Sequence, residues 1–218
     1  MKISIIQETP GWLAVNKPAG IQVERNPFGP SVESLAYAHL ELKRRNPYVG
    51  IVHRLDRVTT GVVLVAKNKS TLRKLNEQFR LKEVQKTYLA MVERAPSEEE
   101  ATVTHWLEKD LNAKRAKVVG KGSAKAFECR LSYRQLWKRT EGWALLEIHP
   151  VTGKYHQIRA QLAAIGCPVV GDIHYGASEE YQPSHIMLHA WKLAFPAPGS
   201  EERLEVEAPL PEWAEVGF

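Results

Sequence analysis

His53-Arg54-Leu55-Asp56-Arg57-Val58-Thr59-Thr60-Gly61 sets one carboxylate between two guanidinium groups. Flanking positive charge favours the ionised form of a carboxylate. Such a group suits nucleophilic attack or the stabilisation of a cation, and suits general-acid duty badly. Thr59 and Thr60 can bond nearby backbone, and Gly61 permits a tight backbone path. A surface ion-pair cluster ahead of a core strand would read the same way, and chemistry alone leaves both open.

A second cluster is Thr152-Gly153-Lys154-Tyr155-His156-Gln157-Ile158-Arg159. Thr152 can begin a capped turn, and the donors around the following helix start can face an anion. An ordinary amphipathic helix with Gln157 and Arg159 on its wet face is the alternative. A third feature is charge. Between Lys109 and Lys125 stand Lys109, Lys114, Arg115, Lys117, Lys121 and Lys125, opposed only by Asp110. Gly120 and Gly122 add flexibility. A mobile basic loop can track phosphates and release their counterions; a solvated hairpin is the plain alternative.

These clusters need a scaffold. Trp12–Asn16 and the continuous run Val62–Ala66 read as strands, the second buried on both faces. Ser31–Arg45 reads as a helix capped by Ser31, and Ser70–Arg80 as one capped by Ser70. Thr87–Glu93, Ala126–Tyr133, Trp143–His149 and Ile186–Phe195 read as strands. Tyr155–Ile165 reads as a helix stopped by Gly166. Ala95–Glu100 is a polar break, taken as an excursion within one domain. Strands with interspersed helices, lacking regular βαβ alternation, predict an α+β fold around a mixed sheet.

Composition bounds the rest. The 218 residues are 44 % apolar and 25 % charged, which excludes collagen-like and disordered classes. Thirty Lys and Arg against twenty-five Asp and Glu leave a net charge of +5 and a pI near 9.1. That balance fits a polyanionic partner without demanding one. Apolar runs are too short for a membrane helix, and the N-terminus lacks a secretory h-region. Cys129 and Cys167 form no disulfide framework, so a reducing, cytoplasmic setting is expected. There is no C-x-x-C pair, H-E-x-x-H, Walker loop, G-x-G-x-x-G or G-x-S-x-G. Neither a metal nor a nucleotide cofactor is expected, which leaves a cofactor-free Asp mechanism or plain nucleic-acid binding.

The motifs resemble those of the RluA-type RNA pseudouridine synthases. His53-Arg54-Leu55-Asp56 with Thr59-Thr60-Gly61 is similar to H-R-L-D-x-x-[ST]-[ST]-G. Val15-Asn16-Lys17-Pro18-Ala19-Gly20 resembles V-N-K-P-x-G, and Lys86-Thr87-Tyr88 resembles K-x-Y. The segment from Thr152 to Arg159 resembles T-G-R-x-H-Q-I-R, with Lys154 in place of Arg. Gly166–Asp172 with Tyr175-Gly176 resembles G-x-P-I-x-G-D and Y-G, and Leu188-His189-Ala190 opens an L-H-A-x-x-L-x-F block. The blocks follow family order, though Gln161 stands where the family has His. No S4 module precedes the first block, so a stand-alone catalytic domain over residues 1–218 is expected.

The resemblance implies a pseudouridine synthase fold: a mixed, mainly antiparallel sheet flanked by helices and loops, with a central active-site cleft. It implies conversion of a flipped uridine in ribosomal or transfer RNA to its C-glycoside, without cofactor or metal. It makes Asp56 the essential carboxylate, Arg159 its partner and Tyr88 the residue that stacks on the uracil. Lys86 becomes a supporting cation, and Arg54 the residue that fills the space left by the flipped nucleotide. His53, Arg57, Thr60, Lys114, Arg115, Lys117, His156 and Gln157 join as RNA contacts. A monomer is expected, with no DNA and no membrane partner. Two rivals remain at this level: a non-catalytic RNA-binding domain, and a retaining glycosidase, which would need a second close carboxylate.

Overall fold

The computed structural model describes residues 1–140, 142–200 and 202–217. In chain order the elements are β1 (Ser4–Glu8), β2 (Trp12–Lys17), α1 (Val32–Glu41), β3 (Gly50–Ile51), β4 (Thr60–Ala66), α2 (Lys69–Arg80) and β5 (Gln85–Val92). There follow β6 (Glu100–Asp110), β7 (Arg115–Val119), β8 (Phe127–Lys138), β9 (Ala144–Pro150), α3 (Gln157–Ala164), β10 (Leu188–Pro196) and β11 (Arg203–Glu207). The chain divides into two compact units. The first is Met1–Lys86 with His189–Leu210; the second is Thr87–Leu188 with the residues from Pro211. The chain passes between them within β5 and within β10.

The first unit is built around β4. β2 lies antiparallel along it, from Trp12 against Ala66 to Lys17 against Gly61. β3 pairs with the far end of β4, and β10 runs parallel to its start, with His189 opposite Thr60. β1 extends the sheet from β2, and β11 from β10. Successive side chains of a strand point to opposite faces, and both faces here are covered. Trp12, Ala14, Val62 and Leu64 join Leu75 of α2 in one core. Leu13, Val15, Val63 and Val65 join Val32 and Ala36 of α1 in another. This is why Val62–Ala66 reads as an unbroken apolar run. The α1 N-terminus carries a reciprocal capping box between Ser31 and Ser34.

The second unit is an antiparallel sheet in the order β5-β9-β8-β6-β7. α3 lays Ala160 against Leu107, Ala116 and Cys129, and Gly166 ends it in the left-handed region at φ +80°. Taken unit by unit, the first sheet is mixed and mainly antiparallel and the second antiparallel, as the family resemblance implies. Among the described residues no helix is long and apolar enough to cross a membrane.

Candidate active site

Asp56 lies in the connection from β3 to β4; β3 pairs with the far end of β4, and the start of β4 is held by Lys17 of β2 opposite Gly61 and His189 of β10 opposite Thr60. The Asp56 carbonyl accepts from the Thr59 N–H at 3.1 Å, closing a tight turn with Asp56 at its first position. A clamp secures the next residue. Arg57 Nε donates to the Gly20 carbonyl at 3.0 Å, and the Gly20 N–H donates to the Arg57 carbonyl at 2.9 Å. Lys17, fully buried at the end of β2, donates from Nζ to the same Arg57 carbonyl at 3.1 Å and to the Pro18 carbonyl at 2.9 Å.

Burial pushes the Lys17 ammonium down to about 7, while the Asp56 charge pulls it up and Arg57 opposes. The turn therefore carries a half-buried carboxylate within electrostatic reach of a buried amine. An ionised carboxylate in this position can stabilise or attack an electron-poor carbon.

The rest of the signature holds this turn to the sheet. His53 Nε2 accepts from the Leu64 N–H at 3.0 Å, and its ring stacks on Phe79 at 4.9 Å. An accepting Nε2 must be unprotonated, and burial, with Lys86 nearby, pushes the imidazole down to about 3. Lys86 is itself pushed down to about 8, first by burial and then by Lys82. Thr60 Oγ1 lies 2.7 Å from Nδ1 of the buried His189. Gly61 sits at φ +112°, and a Cβ there would collide with the Ala190 carbonyl. Only glycine lets β10 approach β4 this closely. Arg54 is exposed and pairs with Glu24 at 3.1 Å.

In the second unit Arg159 and Asp172 form a buried, two-pronged ion pair. The Arg159 guanidinium also lies 4.9 Å from the Tyr175 ring centroid. The Tyr175 hydroxyl accepts from the Ala116 N–H at 2.7 Å and lies 3.0 Å from His156 Nδ1. His156 stands in the left-handed region at φ +52°, stacks on Tyr155 at 3.8 Å, and is pushed down to about 3, chiefly by burial. Gln157 is buried. Its Oε1 accepts from Thr152 Oγ1 at 2.7 Å and from the Lys154 N–H at 3.1 Å, closing the turn that starts α3. Tyr88 is half-buried in β5, opposite Ile148 of β9.

The basic segment is more ordered than its glycines suggest. Arg115–Val119 is strand β7, and Asp110 Oδ1 accepts from the Asn112 and Ala113 N–H groups to shape the turn before it. Lys114 stands in that turn at φ +50°, and Arg115 opens β7 opposite Asp110. Lys117 faces Glu108 at 3.8 Å and Asp110 at 4.0 Å, so part of its charge is already answered.

The first unit thus gathers His53, Arg54, Asp56, Arg57, Thr60 and Lys86. Tyr88, Lys114, Arg115, Lys117, His156, Gln157 and Arg159 belong to the second. Sequence reasoning missed two residues here. Lys17 was legible only as part of a motif block, although a lysine inside an apolar strand end is itself a signal. Tyr175 is legible only as a block member, and its hydroxyl ties Ala116 of β7 to His156, the residue before α3. Among the described residues no cluster of three or more His, Cys, Asp or Glu side chains is poised to hold a metal ion.

Comparison with known proteins returns one consistent group. A family model described as RNA pseudouridylate synthase matches residues 11–164. A ribosomal large subunit pseudouridine synthase C from Yersinia pestis is 35 % identical over 217 residues, covering 94 % of this chain and 65 % of its own. The Vibrio cholerae protein of the same name is 36 % identical, covering 94 % and 65 %. An uncharacterized RNA pseudouridine synthase of Bacillus subtilis, YlyB, is 32 % identical, covering 97 % and 70 %. This chain therefore spans just under two thirds of the first two relatives. Among solved structures, human RNA pseudouridylate synthase domain containing 1 superposes with TM-score 0.79 at 26 % identity, covering 96 % of this chain and 84 % of its own. The human domain-containing 4 protein has TM-score 0.80 at 24 % identity, covering 97 % and 90 %, and supports the fold.

Proposed function

From membership of the RNA pseudouridylate synthase family, to which this chain belongs, we propose that it isomerises uridine in RNA to pseudouridine with Asp56 as the essential carboxylate. The C1′–N1 bond breaks, the uracil turns while held, and a C1′–C5 bond forms. The C5 proton leaves and N1 regains one, so nothing is consumed. The observation that carries this reading is the Asp56 turn, fixed by the Arg57–Gly20 clamp and backed by the buried Lys17. A carboxylate held in place meets an electron-poor C1′ as glycosidase carboxylates meet an oxocarbenium-like centre. Tyr88 and Arg159 are carried with it as supporting residues.

Flipping the target out of its stack costs roughly a few kcal/mol, least in a loop. Basic residues such as Lys114 and Arg115 offset part of that cost through phosphate contacts. The names of the Yersinia and Vibrio relatives favour large-subunit ribosomal RNA over transfer RNA as the substrate. The two free, buried cysteines fit a cytoplasmic setting. A glycoside hydrolase is disfavoured by a specific observation: both oxygens of Asp172, the other acid in a matching block, are committed to Arg159.

Tritium release from 5-tritiated uridine RNA tests the reading directly. Wild-type protein releases tritium; Asp56→Asn binds the same RNA and releases none. Ordinary turnover by Asp56→Asn would remove Asp56 from this role, and free uracil as the product would revive the hydrolase. Pseudouridine mapping of total RNA from cells with and without the gene then identifies the substrate position.

A further inference from the structure

The end of the second unit's sheet carries exposed apolar side chains where a soluble protein would ordinarily place polar ones. Leu107 of β6 pairs with Val118 of β7 on one side and with Phe127 of β8 on the other. Directly paired residues share a face, so the three form one row across the strands. Leu107 is buried, but Phe127 is 56 % exposed and Val118 43 %. Lys109, two residues along β6 from Leu107, lies on the same face. Its Nζ stands 4.6 Å from the ring centroid of Tyr155, which is 39 % exposed. Lys154 Nζ stands 3.9 Å from the Phe127 ring centroid. The Tyr155 hydroxyl donates to the Lys114 carbonyl at 2.9 Å, bringing the cationic turn to the same rim.

The arrangement is an apolar shelf of Phe127, Val118 and Tyr155 rimmed by Lys109, Lys114 and Lys154. Phosphate-tracking charge alone does not require the shelf, because a backbone reader needs cations and no exposed rings. An apolar protein partner does not require three ammonium groups around its seat. Unpaired nucleotides require both, since bases stack on aromatic faces while the backbone meets cations. In A-form duplex RNA the bases are stacked on one another and offer no free face.

We propose that this shelf binds an unpaired stretch of the substrate RNA, with a base stacked on Phe127 and the adjoining phosphate taken by Lys154. The Lys154 ammonium that covers the ring swings from the π-face to the phosphate. The inference rests on the proposed function and names how that same RNA is held beyond the target uridine. It makes the second unit select for loops and unpaired flanks rather than for helices.

The test measures binding of a labelled, unstructured oligouridylate and of a short RNA duplex to the full chain. Phe127→Ala weakens oligouridylate binding by about 5- to 150-fold, the range expected for one base–aromatic stack, and leaves duplex binding within about twofold. Phe127→Tyr, which keeps a ring, restores it. Lys154→Ala lowers the dependence of binding on salt by about one phosphate contact, whereas Phe127→Ala leaves that slope unchanged. Thermal melts of the variants check folding, which the exposed position of Phe127 should spare. Oligouridylate binding indifferent to Phe127→Ala, equal losses for oligouridylate and duplex, or no wild-type binding of the oligouridylate would each overturn the proposal. If the wild-type protein isomerises uridine while any of these results holds, this inference fails and the proposed function stands. A wild-type protein that binds the oligouridylate through Phe127 but isomerises no RNA supports the shelf and overturns the proposed function.

Discussion

Arg159 Nε donates to Asp172 Oδ2 at 2.6 Å and Arg159 Nη2 donates to Oδ1 at 2.8 Å, with both side chains almost wholly buried. A two-pronged pair of this kind fixes the guanidinium plane as well as its charge. It also makes Asp172 a principal partner of Arg159, because removing the carboxylate takes a negative charge away from two buried guanidinium donors. Asp172→Asn should therefore destabilise the protein by about 3–5 kcal/mol in urea unfolding. A loss within about 0.5 kcal/mol, the range of ordinary surface substitutions, would mean that the pair does not anchor Arg159.

Lys17 makes stability depend on alkaline pH in an unusual direction. Its folded value is about 7 against an ordinary 10.5. Between those limits the unfolded chain holds a proton that the folded chain does not, so stability rises with pH across the window. The contribution approaches about 1.4 kcal/mol per pH unit. Lys17→Met removes the titrating group. The stability difference between wild type and variant should widen in favour of the wild type from pH 7 to 10. Parallel curves in denaturant unfolding would show that Lys17 stays charged in the fold.

How much of this was legible depends on whether a residue's role is local. The central strand was, because Val62–Ala66 is apolar at every position and β4 is covered on both faces. The start of α1 was, because a Ser cap acts on its own first turn; its end was not. The helix stops at Glu41, and the following Leu42 is exposed with no core to hold further turns. The α2 cap is Asn68, whose side chain accepts from the Thr71 N–H, rather than Ser70. The basic segment took the solvated-hairpin alternative rather than the mobile loop: β6 and β7 pair antiparallel through it, with only Ala116 of β7 buried. At the site, the carboxylate and its arginines were visible as a motif. Lys17 and Tyr175 were not, because their roles come from burial and from partners that the fold, not the sequence, brings near. α3 also reversed an open alternative: Gln157, Arg159 and Gln161 are buried rather than on a wet face.

His53 predicts sensitivity to acid. Its Nε2 must stay unprotonated to accept from Leu64, and its folded value of about 3 lies below the ordinary 6.5. Below pH 6.5 the unfolded chain takes up a proton that the folded chain refuses, so stability is full above 6.5 and falls as pH drops towards 3. His156, also held at about 3, adds to the same loss. His53→Gln, which keeps an acceptor, should lose less stability than wild type between pH 6.5 and 5. That window lies above the ordinary range of Glu8, whose carboxyl is held at about 2 by Lys43, His39 and Lys67. Identical acid profiles for the two proteins would show that His53 is protonated in the fold.

Gly61 predicts a coupling between the connection that carries Asp56 and β10. Its backbone, at φ +112°, lies so close to Ala190 that a methyl group cannot be placed without moving β10 away from β4. Gly61→Ala adds backbone strain of about 1–3 kcal/mol and loosens the contact between Thr60 Oγ1 and His189 Nδ1. A glycine substituted elsewhere without such a neighbour, such as Gly120→Ala in the basic segment, has open space around it and should leave stability nearly unchanged. The measurement is urea unfolding of both variants, with pseudouridine formation followed at a temperature where each remains folded. Gly61→Ala should lose stability and turnover together, because the Asp56 turn leads directly into the strained start of β4. A folded Gly61→Ala with wild-type turnover would mean that the start of β4 does not position Asp56.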